Sequence, residues 1–242
     1  MVQSYLKQNF SFILKVASQL QIPGQDQSLV YEERTSFLRA LRDNHVDYSK
    51  NCIFLDGCKL FKNEVKVAAK ESKKKKDSFV SLGNFVCFCA EGVIGFSQEA
   101  FLLPAKKKHP NVEMLGPAQG TRIDHFRQFV VEVIQILDER QRTGLYFVME
   151  NLAWSSDRKV IEAIKQAGHI PVVIPAMSSS MIPTESFWVK VKNEVGKAPF
   201  KSPKDNLVER IEQVVNSVNH SDCQSWITEC VKTLEDQYPQ EQ

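Results

Sequence analysis

No apolar run in the 242-residue chain approaches the roughly 20 residues a transmembrane helix needs, so no membrane span and no membrane partner are expected. Net charge is also scarce: 31 Lys and Arg stand against 29 Asp and Glu, leaving +2. Any nucleic-acid surface must therefore come from local clustering of basic residues. The six cysteines (Cys52, Cys58, Cys87, Cys89, Cys223, Cys230) contain no CxxC pair, and four lie in or beside apolar strand-like runs. Buried free thiols in a reducing, intracellular compartment are the expected reading, against a zinc site whose tetrahedral ligand set the spacing does not announce. His109, His125 and His169 likewise lack a second ligand at metal-binding spacing and read as structural. The N-terminus, MVQSYLKQNFSFILK, has neither an unbroken apolar stretch nor a small-residue cleavage site, so no secretory signal is expected. What the chain does have is 43% apolar residues, enough for one well-filled core, or a core with a small appendage.

The most informative stretch is Leu145 to Val195. The apolar run Leu145 to Met149 stops at Glu150-Asn151, as a buried strand would that delivers an acid to its edge. A helix follows, with Ser155 or Ser156 as candidate cap, Asp157 in the first turn, Val160, Ile161 and Ile164 on one face and Gly168 just past the end. A second strand is expected over Ile170 to Ile174, and after a Pro/Ser loop a further helix opens at Thr184 with Glu185 in its first turn. Oxygen ligands on rigid elements suit a hard divalent cation.

The flanking residues divide the chain into a helical N-terminal extension (1–48), an α/β domain (49–196) and C-terminal helices (197–242). Leu6, Phe10, Ile13, Val16 and Leu20 recur at helical spacing until Ile22-Pro23-Gly24; a second helix is expected from Val30 to Arg42, either a remnant of a DNA-binding region or a lid on the core. Cys52 to Leu55 is a short apolar run ending in Asp56-Gly57, and Phe79 to Ala90 with Val93 to Phe96 reads as an antiparallel hairpin. Lys73, Lys74, Lys75 and Lys76 precede that hairpin, and Lys106, Lys107 and Lys108 follow it. Each cluster is a solvated loop, or a phosphate-contacting or nuclear-import patch; two clusters flanking one hairpin favour a phosphate-binding face. Phe126, Phe129, Val130, Val133, Ile134 and Leu137 form a complete stripe on a helix over Ile123 to Arg140. Beyond Pro199 and Pro203 come two amphipathic helices, one with Leu207, Ile211, Val214, Val215 and Val218, the other with Trp226, Val231 and Leu234.

Adjacent parallel strands would set Asp56 beside Glu150, and the helix at Thr184 would bring up Glu185. Three converging carboxylates repel unless a cation neutralises them. The arrangement therefore implies Mg²⁺ or Mn²⁺ if it is catalytically competent, and no cofactor otherwise; such ions activate a water or 3′-hydroxyl in phosphodiester chemistry.

At these residues the chain resembles the DDE/D transposases of the Tc1/mariner and IS630 group. CIFLDGCKLF (52–61) is similar to the family's first-aspartate strand, YFVMENLAWSS (146–156) to its apolar run followed by Asp-Asn-Ala, and HIPVVIPAMSSSMIPTESFWVKVKNEV (169–195) to the segment leading through Asn-Pro-Ile-Glu to a Trp. Thirty-four residues, 151 to 184, separate Glu150 from Glu185, the family's characteristic spacing, which sets it apart from ribonucleases and Holliday-junction nucleases of the same fold. The resemblance implies a ribonuclease-H-like mixed five-stranded sheet flanked by helices, with DNA as partner, Asp56, Glu150 and Glu185 as catalytic metal ligands, and a nuclear location in a eukaryote. The departures are specific. Glu150 stands where the family has Asp, moving the carboxylate by roughly 1.5 Å, a carbon–carbon bond length. Gly57 stands where an acid is common, Trp154 and Ser155 where a His is expected, and Ser179-Ser180 where the family has Ser-Pro. The chain also lacks room for paired helix-turn-helix domains. Two functions follow as expectations. One is a domesticated transposase-derived module that binds nucleic acid or assembles with a protein partner or a second copy, its catalysis impaired or lost (a pseudoenzyme). The other is an active Mg²⁺- or Mn²⁺-dependent DNA endonuclease or strand transferase.

Overall fold

A strand buried on both faces must be apolar at nearly every position, and the centre of this chain supplies two such runs. In the computed structural model, which describes residues 27–61, 79–103, 119–197 and 207–239, these runs form the middle of a five-stranded sheet. Its strands are β1 (Cys52–Phe61), β2 (Phe79–Cys89), β3 (Gly92–Leu103), β4 (Tyr146–Met149) and β5 (Ile170–Val173), in spatial order β3-β2-β1-β4-β5. β1, β2 and β3 are antiparallel neighbours, whereas β4 pairs parallel to β1 and β5 parallel to β4. This is the expected mixed sheet, with the Asp56 and Glu150 strands side by side.

Alternation along the strands builds two cores. Cys52, Phe54, Val86, Phe88 and Val148 face one side, where helices α1 (Gln27–Asp43), α4 (Thr184–Gly196), α5 (Leu207–Ser217) and α6 (His220–Gln237) cover them. Ile53, Leu55, Phe85, Cys87, Phe147 and Met149 face the other, under α2 (Gln119–Glu139) and α3 (Arg158–Gln166). The stripe read from α2 is buried as expected, Ile134 only partly. α1 lays Leu38 and Leu41 into the first core, and Arg34 clasps it to the loop before α4, donating to Ser178 Oγ (2.9 Å) and the Met177 carbonyl (2.6 Å), and to the end of α6, donating to Tyr238 Oη (3.3 Å).

Three local expectations are corrected. β1 does not stop before Asp56 but continues to Phe61, because its antiparallel pairing with β2 outlasts its parallel pairing with β4. The cap of α3 is neither Ser155 nor Ser156 but Asp157, whose side chain accepts from the Lys159 and Val160 amides while Arg127 donates two hydrogen bonds to it at 2.9 Å each. β5 ends at Val173, one residue short. Gly168, with φ +77°, ends α3 as expected, in a conformation that costs other residues energy. The first expected helix (residues 6–20) and both lysine clusters lie outside the described residues. Among the described residues no helix is long and apolar enough to cross a membrane.

Candidate carboxylate site

The parallel pair β1–β4 opens where its register ends, at Leu55 opposite Met149. The next residues on the two chains are Asp56 and Glu150. β4 leaves the sheet here while β1 runs on, so both acids stand at the point of divergence, on the face covered by α4. Asp56 is 7% exposed. Its Oδ2 accepts from Trp188 Nε1 at 2.9 Å and its Oδ1 from the Gly57 amide at 2.6 Å. A buried carboxylate needs such donors, since an unpaired buried charge is among the most destabilising features a fold can carry.

Trp188 also orients α4. Glu185 and Trp188 are three residues apart and share a helix face, so the indole that reaches down to Asp56 sets Glu185 above the same edge. Glu185 itself is exposed. Its place in the first turn is favourable to the helix whatever else it does, because a negative charge there meets the positive end of the helix dipole. Glu150, half-buried, has its pKa pushed up to about 7 by burial first, then by the negative charges of Asp56 and Glu185. Glu150 therefore senses both of the other acids. All three are hard oxygen donors of the type that Mg²⁺ or Mn²⁺ takes. They are not gathered into a cage: among the described residues no group of three His, Cys, Asp or Glu is close enough to hold a metal ion.

Two of the departures from the transposase pattern, at Gly57 and at Trp154-Ser155, have packing explanations. A Cβ at position 57 would lie 2.6 Å from two atoms of the Phe85 ring. Phe85 cannot easily yield, as it packs among Phe126 (5.0 Å between ring centres), Phe129 (5.9 Å) and Trp154 (5.5 Å). An acid after Asp56 is thus excluded by the aromatic cluster. Trp154, in the region where a His is expected, is the member that seals this cluster beneath the 150–155 turn, 4.5 Å from Phe126. Ser155 is fully buried; its hydroxyl donates to the Glu150 carbonyl and accepts from the Leu152 amide at 3.1 Å, fixing the turn that carries Glu150. The sequence resemblance picks out the Trp of this segment but not its bond to Asp56, which the Glu185–Trp188 spacing could have suggested. The reading of Ser155 or Ser156 as the helix cap rested on the preference of serine for that position.

Among the described residues, His125, His169 and the cysteines make packing and tethering contacts within the fold. His125 sits on the opposite face of the sheet from Asp56: a ring nitrogen is 2.7 Å from Ser97 Oγ, and Nδ1 is 3.0 Å from Glu99 Oε2 without the alignment of a hydrogen bond, so the ring ties β3 to α2. His169 is buried, with Nδ1 accepting from the Leu145 amide at 3.3 Å. All six cysteines are free and five are buried; burial pushes the Cys52, Cys223 and Cys230 thiols up to about 12, so they stay protonated and unreactive at neutral pH. The lysines at 73–76 and 106–108 lie outside the described residues.

No family model matches the chain, and no curated protein sequence does. Solved structures match throughout its length. The Mos1 transposase paired-end complex with the left transposon end is 14% identical with a TM-score of 0.64, over 98% of this chain and 68% of that one. The Mos1 strand transfer complex is 15% identical, with a TM-score of 0.62 and the same coverage. The catalytic domain of Mos1 mariner transposase alone is 13% identical, with a TM-score of 0.60 over 90% of this chain and 96% of that domain. At such identities the likeness establishes the fold, and it is the ribonuclease-H-like fold that the motif resemblance implied.

Proposed function

We propose that this chain is a transposase-derived domain, domesticated as a nucleic-acid-binding or assembly module, in which metal-dependent strand cleavage is impaired or lost. The observation that carries the reading is the Trp188–Asp56 hydrogen bond at 2.9 Å. With the Gly57 amide it engages both oxygens of the acid that would anchor a metal, so an ion must compete with protein donors that already satisfy the charge. The longer Glu150 side chain and the excluded acid at position 57 work in the same direction. Metal catalysis depends on ligand geometry, so these changes are costly to it. The structural relatives were solved with a transposon end and as a strand transfer complex, which supports DNA as the partner. Lys73 to Lys76 and Lys106 to Lys108 carry the DNA binding in this reading. Reversing the charge of both clusters should weaken binding to all duplex sequences alike and flatten the salt dependence by about 0.9 for each phosphate that is no longer neutralised. Unchanged affinity and salt slope would place the DNA-binding surface elsewhere.

The second reading, an active Mg²⁺- or Mn²⁺-dependent DNA endonuclease or strand transferase, rests on the electrostatic convergence of the three acids on Glu150. In it Asp56, Glu150 and Glu185 would hold the ion, which when bound supplies Lewis-acid activation of a water or 3′-hydroxyl. The Mos1 catalytic domain has been solved with Mn and with Mg. In this chain Trp188 would fix Asp56, and the Ser155-bound turn would fix the backbone of Glu150.

A further inference from the structure

β3 closes one side of the sheet, and among the described strands only β2 pairs with it. Against that edge lies a groove of about 470 Å³, walled on one side by Val93 to Phe96 and on the other by Glu212, Val215, Asn216 and Val218. Neighbouring side chains of a strand point to opposite faces, so a wall made by four consecutive residues is the backbone edge of the strand. The opposite wall is one face of α5, since Glu212, Val215 and Asn216 stand at helical spacing. Gln98 donates to the Val208 carbonyl at 3.4 Å and holds the first turn of α5 to β3, so the groove lies along the later turns. A groove between an edge strand and a helix is the geometry by which folded domains take up an extended peptide as an added strand.

We propose that this groove binds a short extended segment of another protein, which adds to the β3 edge through backbone hydrogen bonds, with an apolar side chain on half-buried Val218 and a basic side chain beside exposed Glu212. Glu212 is the ionisable side chain of the groove and is exposed, so it favours a cationic partner. Cys87 pairs with Gly95 and Phe88 with Val93, leaving Ile94 as a bulge within the same wall. A bulge bends and twists the edge, which limits regular pairing to a few residues. That favours a short peptide over the long edge-to-edge pairing of a second copy. The proposal rests on the β3–α5 groove alone and is independent of what the carboxylate edge does.

The test uses a fluorescent, end-blocked Thr-Lys-Thr-Val-Thr-Val-Thr peptide, whose Lys and Val side chains share one face of the extended chain, titrated with the full chain and followed by anisotropy. Saturable binding is expected, with amide NMR shifts concentrated in residues 93–96 and the later turns of α5. N-methylating alternate peptide amides should lower affinity about tenfold or more, because two or three backbone hydrogen bonds are removed. Glu212→Lys should weaken the lysine peptide and strengthen its glutamate counterpart. Asn216→Trp, which fills the groove from an exposed position, should abolish binding while leaving the melting temperature unchanged. Binding that is absent up to millimolar concentrations, or indifferent to N-methylation, overturns the proposal. So does concentration-dependent dimerisation that Asn216→Trp abolishes and the peptide does not inhibit, since the occupant is then a second copy.

Discussion

Replacing Glu150 by Gln should stabilise the metal-free protein at neutral and alkaline pH. In the folded chain burial and the charges of Asp56 and Glu185 raise this carboxyl from an ordinary 4.5 to about 7. Between those values the folded state keeps a proton that the unfolded state has released, so stability falls as pH rises from about 4.5 to 7 and levels off above it. At roughly 1.4 kcal/mol per tenfold change in proton affinity, the upper bound on that loss is about 3.4 kcal/mol. Glu150 is only half-buried, and solvent screening reduces the loss to roughly 1–2 kcal/mol. Glutamine keeps the shape and removes the charge. For a chain of this size each kcal/mol moves the midpoint by about 2–4 °C, so Glu150→Gln should melt roughly 2–8 °C above wild type at pH 8 in EDTA and match it near pH 4.5. The assay is thermal unfolding of both proteins across pH 4.5 to 8.5. A wild-type midpoint with no component that Glu150→Gln removes, or a variant no more stable at pH 8, would refute the electrostatic coupling.

Three further outcomes are expected. Trp188→Phe should cost about 1.5–3 kcal/mol in urea unfolding, because it removes a hydrogen bond to a buried charged group; a loss under about 0.5 kcal/mol, below what even a neutral hydrogen bond contributes, would show that Asp56 does not depend on the indole. Gly57→Ala should destabilise by about 1–3 kcal/mol through the clash with the Phe85 ring, and adding Phe85→Leu should recover part of that loss in a double-mutant cycle. Asp157→Ala removes both the α3 cap and the partner of Arg127 and should cost about 1–2 kcal/mol; a neutral result would mean that the cap is replaced by water.

Much of this fold was legible because its signals are local. The stripe on α2 and the both-faced apolar runs of β2 and β4 declare themselves by period, and a parallel β4–β5 pair requires the crossover that α3 supplies. The full length of β1 was not legible. Beyond Asp56 the sequence turns mixed (GCKLF), and only pairing with β2 keeps it extended. Asp56, Glu150 and Glu185 could be singled out by spacing and resemblance, yet what surrounds them could not. The Trp188 bond to Asp56 spans 132 residues, and the clash that keeps position 57 a glycine comes from a ring on the neighbouring strand. Such facts live in tertiary packing, which no local pattern encodes. The β3–α5 groove is of the same kind, formed by segments more than 100 residues apart.

The central claim proposed is that the domain binds DNA through its lysine clusters while its carboxylates no longer support efficient metal-dependent cleavage. It is tested most directly by incubating supercoiled plasmid with the chain in Mg²⁺ and in Mn²⁺, scoring bound and nicked DNA in parallel for wild type, Glu150→Asp and Asp56→Asn. Salt-sensitive binding by all three is predicted, with no nicking above background by wild type and none restored in Glu150→Asp. Metal-dependent nicking by wild type that disappears in Asp56→Asn would contradict the claim and establish the enzyme.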